Sequence, residues 1–227
     1  MEGLDYHGEC RSARLVASGF YDFTAQSPSM LLLSVAAAYG NDIPGAVIMS
    51  GLQASLRALS RNRPRELSTV MRELNRMACH LPLEDFHAAM FCAEIDASKR
   101  VLNYVNAGHT APLLIRHGGS RVLRLSNSGT VLGLTTQTVF EQRTMPFDAH
   151  DILVAVSDAG HFREEALIET IRDHPWDSSS ELTRRLMRIN HPESEAERTV
   201  VVVRAVEAAE NVIGGHAMSE LELAYAV

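Results

Sequence analysis

The stretch from Leu31 to Leu59, LLLSVAAAYGNDIPGAVIMSGLQASLRAL, most constrains the fold of this chain. Its first part is a short uncharged apolar run, the pattern of a buried strand. Gly40, Asn41 and Asp42 break that run. Asp42 is placed to accept hydrogen bonds from the free N–H groups of a following helix, and Pro44 suits that helix's first turn. Ile48, Leu52, Leu56 and Leu59 follow at helical spacing, so one face of the helix is buried. A buried strand, a glycine turn and a helix N-terminus form a frame often used to hold an anion or a metal. Yet Ala36, Ala37 and Ala38 stand at the strand's end, where such a site needs an acid.

The rest of the chain has an ordinary globular make-up. It has 227 residues, 46% hydrophobic and 22% charged, enough for one domain with a sizeable core. The net charge of -7, with no basic stripe, speaks against nucleic acid as a main partner. No apolar run reaches membrane-spanning length, and the start of the chain lacks a signal-peptide pattern. Cys10, Cys79 and Cys92 have no metal-site spacing, so a reduced, cytoplasmic protein with buried thiols is expected.

Residues 2–26 read as two strands joined by a basic turn, and Gln26 to Ser29 as a hairpin signal. After the first helix, Leu67, Met71, Leu74 and Met77 mark a second. Residues 86–96 and 100–106 alternate as paired strands, with a turn at Asp96 to Lys99. Residues 111–117 and 121–126 form another hairpin around Gly118-Gly119. Val139 to Met145 and Ile152 to Val156 read as further strands, the latter closed by Asp158. A short helix over Glu164 to Arg172 precedes a capping box at Ser178 and Glu181. Thr199 to Val203 is a β-branched final strand, and residues 206–227 form a tail. Runs of strands alternating with runs of helices predict an α+β fold. About ten strands favour two packed antiparallel sheets flanked by helices.

Five segments in unbroken order carry a resemblance. They are Gly19-Phe20-Tyr21-Asp22-Phe23, Ile43-Pro44-Gly45-Ala46-Val47-Ile48-Met49, Tyr104-Val105-Asn106-Ala107-Gly108-His109 with Pro112-Leu113-Leu114, Asp151-Ile152-Leu153 to Ser157-Asp158, and Glu197-Arg198-Thr199-Val200-Val201. The chain resembles the metal-dependent PPM-type protein serine/threonine phosphatases, in their bacterial SpoIIE-like branch, over residues 5–204. The resemblance implies an α-β-β-α sandwich, with residues 1–205 as the phosphatase-fold domain. It also implies a role in signal transduction of the sigma-factor-regulating kind.

In that family, two divalent metals held by aspartates lower the pKa of a water and polarise the phosphoryl group. Carried over residue by residue, the first metal aspartate falls on Gly19, the second on Ala37 and the fourth on Ala196. Only the third is kept, as Asp158, and it is followed by Ala159 where the family has glycine. Asp22, Asp42 and Glu197 are the nearby candidate acids: Asp22 matches a family position that helps the site without dominating it, Asp42 replaces a family glycine, and Glu197 conservatively replaces a family aspartate. Each also has a plain alternative: a strand cap or ion pair for Asp22, a helix N-cap for Asp42, an exposed edge charge for Glu197. His150, Asp151 and His161, around the same strand as Asp158, make a relocated single-metal site conceivable. Asn106, Gly108 and His109 are read as a structural turn, since no nucleophile signature accompanies them.

The resulting expectation is a pseudophosphatase that binds a regulatory protein, of the phosphorylatable anti-sigma-antagonist type, or another copy of itself. No cofactor is expected, with Mn²⁺ or Mg²⁺ required if the chain is active. The alternatives are an active phosphatase with a displaced or partial metal site, and a domain that binds a small anion at the Gly40–Asp42 helix start.

Overall fold

A computed structural model describes residues 1–11, 19–39, 42–61, 66–81, 83, 86–158, 163–189 and 197–207. In chain order the elements are β1 (Leu4–Arg11), β2 (Gly19–Ser27), β3 (Met30–Tyr39), α1 (Asp42–Arg61) and α2 (Leu67–Cys79). Next come β4 (His87–Asp96), β5 (Val101–Ala107), β6 (Leu113–Arg116), a 3-10 turn (His117–Gly119), β7 (Arg121–Arg124) and β8 (Arg143–Pro146). The chain continues through β9 (Ile152–Asp158), α3 (Glu164–Asp173), α4 (Ser179–Leu186) and β10 (Arg198–Ala205).

The strands form two five-stranded sheets, ordered β1-β10-β9-β6-β7 and β2-β3-β4-β5-β8, and every strand pair is antiparallel. β1 and β2 are neighbours in sequence but belong to different sheets. β1 pairs with β10 from Leu4↔Ala205 to Arg11↔Arg198, whereas β2 makes a hairpin with β3.

β3 shows why an uncharged run was needed. Leu31, Leu33 and Val35 point between the sheets, against Phe91, Ile95, Leu153 and Val201. Leu32 and Ala36 point the other way, into a cluster with Leu52 and Leu56 of α1 and Met71 and Leu74 of α2. A strand covered on both faces has no place for a charge. β10 behaves alike, with Val201 and Val203 in the inter-sheet core and Val200 and Val202 against Leu167 of α3 and Leu182 of α4. The layers are therefore helix, sheet, sheet, helix.

Three local expectations change in detail. Met77 is 48% exposed, and Ala78 takes the buried place on α2. Three helical turns end at the eleventh residue after Leu67, not the tenth. The strand expected from Val139 covers only Arg143–Pro146, and most of residues 125–142 is a looped connection. Of the three cysteines, all free, only Cys92 is fully buried. The capping box at α4 forms as read: the Glu181 N–H donates to the Ser178 hydroxyl, and the Ser178 N–H donates to the Glu181 carboxylate at 2.9 Å. No described helix is long and apolar enough to cross a membrane.

Candidate functional site

The matched positions meet at one end of the sandwich because antiparallel register puts them there. In one sheet Arg11, Arg198 and Asp158 lie side by side across β1, β10 and β9. In the other, Gly19 at the start of β2 faces Ala37 of β3. Glu197, one residue before β10, joins the two rows. Its Oε1 lies 2.7 Å from where a Cβ on Gly19 would stand, and the Ala36 carbonyl oxygen lies 2.6 Å from the same point. Glu197 is therefore partly buried and turned inward, in contrast to the exposed edge charge considered from sequence. Burial pushes the Cys10 thiol above its usual range, against a lowering hydrogen bond with Thr199, and the Glu197 charge adds a smaller push in the same direction.

Asp158 ends β9, and Asp42 is the first residue of α1; their side chains lie outside the described residues, as do Ala196 and His161. Gly40 and Asn41 also lie outside them. Gly19 and Ala37 bring a hydrogen and a methyl group to the cleft, neither of which can donate an electron pair. Among the described residues no three His, Cys, Asp or Glu side chains are grouped to hold a metal ion. A centre of two divalent cations needs several converging anionic oxygens, and neither Gly19 nor Ala37 supplies one.

Asp22 is committed elsewhere. It is 7% exposed and accepts two hydrogen bonds from Arg57 of α1, from Nε at 2.6 Å and Nη2 at 2.5 Å. Thr24 donates a third at 3.3 Å. Those hydrogen bonds hold the Arg57 guanidinium above its usual range. The pair clamps α1 onto β2. Arg57 gave no sequence signal, because it lies thirty-five residues from Asp22 along the chain.

His150 and Asp151 sit before β9, at the end opposite Asp158, about 20 Å away along the strand. This separation removes them from any relocated site around Asp158. Asp151 accepts from Arg116 Nε and from the Asp148 N–H, each at 2.9 Å. Burial still pushes its carboxyl up, despite these bonds.

Asn106, Gly108 and His109 build a turn. The Asn106 side chain accepts from the His109 N–H at 2.8 Å and donates to the Leu125 carbonyl at 3.0 Å, with the residue fully buried. Gly108 has φ 73°, and a Cβ there would stand 2.5 Å from Val131. His109 Nδ1 lies 2.8 Å from the Thr110 carbonyl oxygen, which requires the Nδ1–H tautomer. Its Nε2 is buried with no partner among the described residues, and burial holds the imidazole pKa below 6.5.

The family profile of Stage II sporulation protein E (SpoIIE) matches residues 27–205. The chain belongs to the SpoIIE family. Within it, the chain is 22% identical over 215 residues to the phosphoserine phosphatase RsbU of Bacillus subtilis strain 168, covering 89% of this chain and 64% of RsbU. The SpoIIE-type sandwich also superposes on the RsbU and RsbW domains of Rv1364c from Mycobacterium tuberculosis. There the TM-score is 0.75 at 20% identity, over 92% of this chain and 63% of that one. The PP2C phosphatase domain of SpoIIE from Bacillus subtilis gives 0.75 at 15% identity, over 91% and 63%. The SiaA PP2C domain of Pseudomonas aeruginosa gives 0.72 at 16%, over 88% and 85%. The chain thus spans under two thirds of RsbU and of the Rv1364c and SpoIIE chains.

Proposed function

We propose that this SpoIIE-family chain is a pseudophosphatase, a phosphatase fold that binds a regulatory protein without hydrolysing phosphate. The observation that carries this reading is Gly19 facing Ala37 across β2 and β3, at positions the resemblance assigns to metal aspartates. With Ala196 as a third such position, three carboxylates that would balance two dications are missing from the sequence. Proximity to RsbU, a phosphoserine phosphatase, supports a partner from the same signalling class, a small protein phosphorylated on serine or threonine. The Rv1364c structure, which holds RsbU and RsbW domains of one protein, supports regulatory proteins as the setting.

A second reading is favoured by one contact. Glu197 directs a carboxylate into the space beside Gly19, at the same end of the sandwich as Asp158. That carboxylate is the group with which a displaced, weak phosphatase site would seat a single cation.

Calorimetric titration with Mn²⁺, combined with phosphopeptide hydrolysis, separates the two readings. The pseudophosphatase reading expects no saturable heat at micromolar Mn²⁺ and no turnover above a blank. Turnover that requires Mn²⁺ and disappears in Asp158→Ala would replace it with the displaced site.

A further inference from the structure

A cavity of about 260 Å³ opens at the other end of the sandwich, where β9 begins. Its floor is aliphatic, made by Ile115, Ile152 and Ile171. Trp176, in the turn between α3 and α4, stands at its rim with 80% of its surface exposed. The Trp176 ring meets His150 edge-on, centroids 6.0 Å apart. Its backbone neighbour is fixed, because Arg204 donates to the Pro175 carbonyl at 2.7 Å. An indole held over an aliphatic hollow, mostly in water, is a surface suited to an apolar chain segment.

We infer that this cavity is a docking site for the segment that follows β10 in the same chain, with Val212 and Ile213 as the inserted side chains. The path of the chain supports this occupant. β10 delivers the backbone to the rim: the His150 N–H donates to the Ala205 carbonyl at 2.8 Å, and the Glu207 carboxylate lies 3.7 Å from His150 Nε2. Four residues, Ala208 to Asn211, separate Glu207 from Val212. Extended, they reach about 13 Å, more than the roughly 8 Å width of a cavity of this volume. Gly214 and Gly215 come next and let the chain turn away directly after insertion. The branched aliphatic pair matches the isoleucine floor. Tethering so close to the rim sets an effective concentration near the millimolar range, so a modest contact suffices. The site lies about 20 Å from the Gly19–Ala37 cleft along β9, so a docked segment leaves that cleft open.

Trp176 is the chain's single tryptophan, so its emission reports this cavity alone. The experiment compares acrylamide quenching of the full chain with that of the full-length Val212→Ser/Ile213→Ser variant. A second variant, Ala149→Arg, fills the cavity from its wall, and its fold is checked by far-UV circular dichroism. The full chain is expected to show blue-shifted emission, with quenching several-fold weaker than in the serine variant at every protein concentration. Ala149→Arg is expected to match the serine variant. Equal quenching in the full chain and the serine variant overturns the inference, whatever Ala149→Arg does. Protection that is lost on dilution overturns it too, because a second copy would then be the occupant.

Discussion

The carboxylate of Glu197 occupies the space beside Gly19 that a side chain there would need: its Oε1 is 2.7 Å from the Cβ position, and the Ala36 carbonyl is 2.6 Å from it on the neighbouring strand. Glutamate can swing away, but a carbonyl inside a β ladder cannot move without breaking its hydrogen bonds. Gly19→Ala is therefore expected to destabilise the chain by about 1–3 kcal/mol, as overpacking of a tight site does. Adding Glu197→Ala should recover only part of that loss. Urea unfolding of the two variants measures it, and a Gly19→Ala midpoint equal to wild type would show that the strand yields freely.

The same crowding bears on rebuilding a metal centre. Gly19→Asp, Ala37→Asp and Ala196→Asp together are expected to raise Mn²⁺ affinity and to lower metal-free stability. Part of that loss is repulsion among the new carboxylates, and part is the steric conflict at residue 19. Glu197→Ala in the triple background should lessen the loss without lowering Mn²⁺ affinity. If Mn²⁺ affinity instead falls with Glu197→Ala, Glu197 is itself a ligand.

Asp22 and Arg57 tie α1 to β2 through a two-pronged pair, with Asp22 buried and Arg57 half exposed. Arg57→Ala leaves a buried carboxylate that keeps the Thr24 hydroxyl as a side-chain partner. The expected cost is about 1–2 kcal/mol, below the range for a fully buried pair because Arg57 faces solvent. A double-mutant cycle with Asp22→Asn, read by urea midpoints, should return a coupling of the same sign. Additive single effects would show that the pair contributes nothing.

Asn106 serves the turn at Gly108 through its side chain, so Asn106→Ala should cost about 2–3 kcal/mol by leaving the His109 N–H and the Leu125 carbonyl unpaired in the interior. Thermal unfolding checks this, and a change below the error of the melt would remove the structural role.

His109 makes stability depend on pH in a defined direction. In the folded chain its pKa is held below 6.5 by burial, and among the described residues no acceptor faces Nε2 for the N–H it would gain on protonation. The unfolded chain binds that proton first, so stability rises with pH between the folded and unfolded values. The contribution is present above pH 6.5 and is lost as pH falls toward the depressed folded pKa. His109→Asn, which keeps a donor near the Thr110 carbonyl, should lose stability less steeply than wild type between pH 7 and 5. Parallel slopes for the two proteins would mean that other groups carry the acid sensitivity.

Much of the architecture was legible in the order of residues, because strand and helix formation are local. The uncharged run at Leu31 signalled a strand covered on both faces, and the Ser178–Glu181 spacing signalled a helix start. The turn at Asp96 to Lys99 signalled a hairpin, and each of these formed. The absence of side-chain oxygens at Gly19 and Ala37 was equally a property of the sequence, since no fold can supply a donor that the residue lacks. What only the tertiary structure decided are the meetings of distant residues: Glu197 with Gly19, Arg57 with Asp22, Glu207 with His150 beside Trp176. Their partners are set by the register of β10 against β1 and β9, by α1 lying across β2, and by the packing of one sheet on the other. Periodicity along a chain states which face of an element is buried. It carries no information about which residue of another element will stand opposite, because that depends on the joint packing of the whole sandwich.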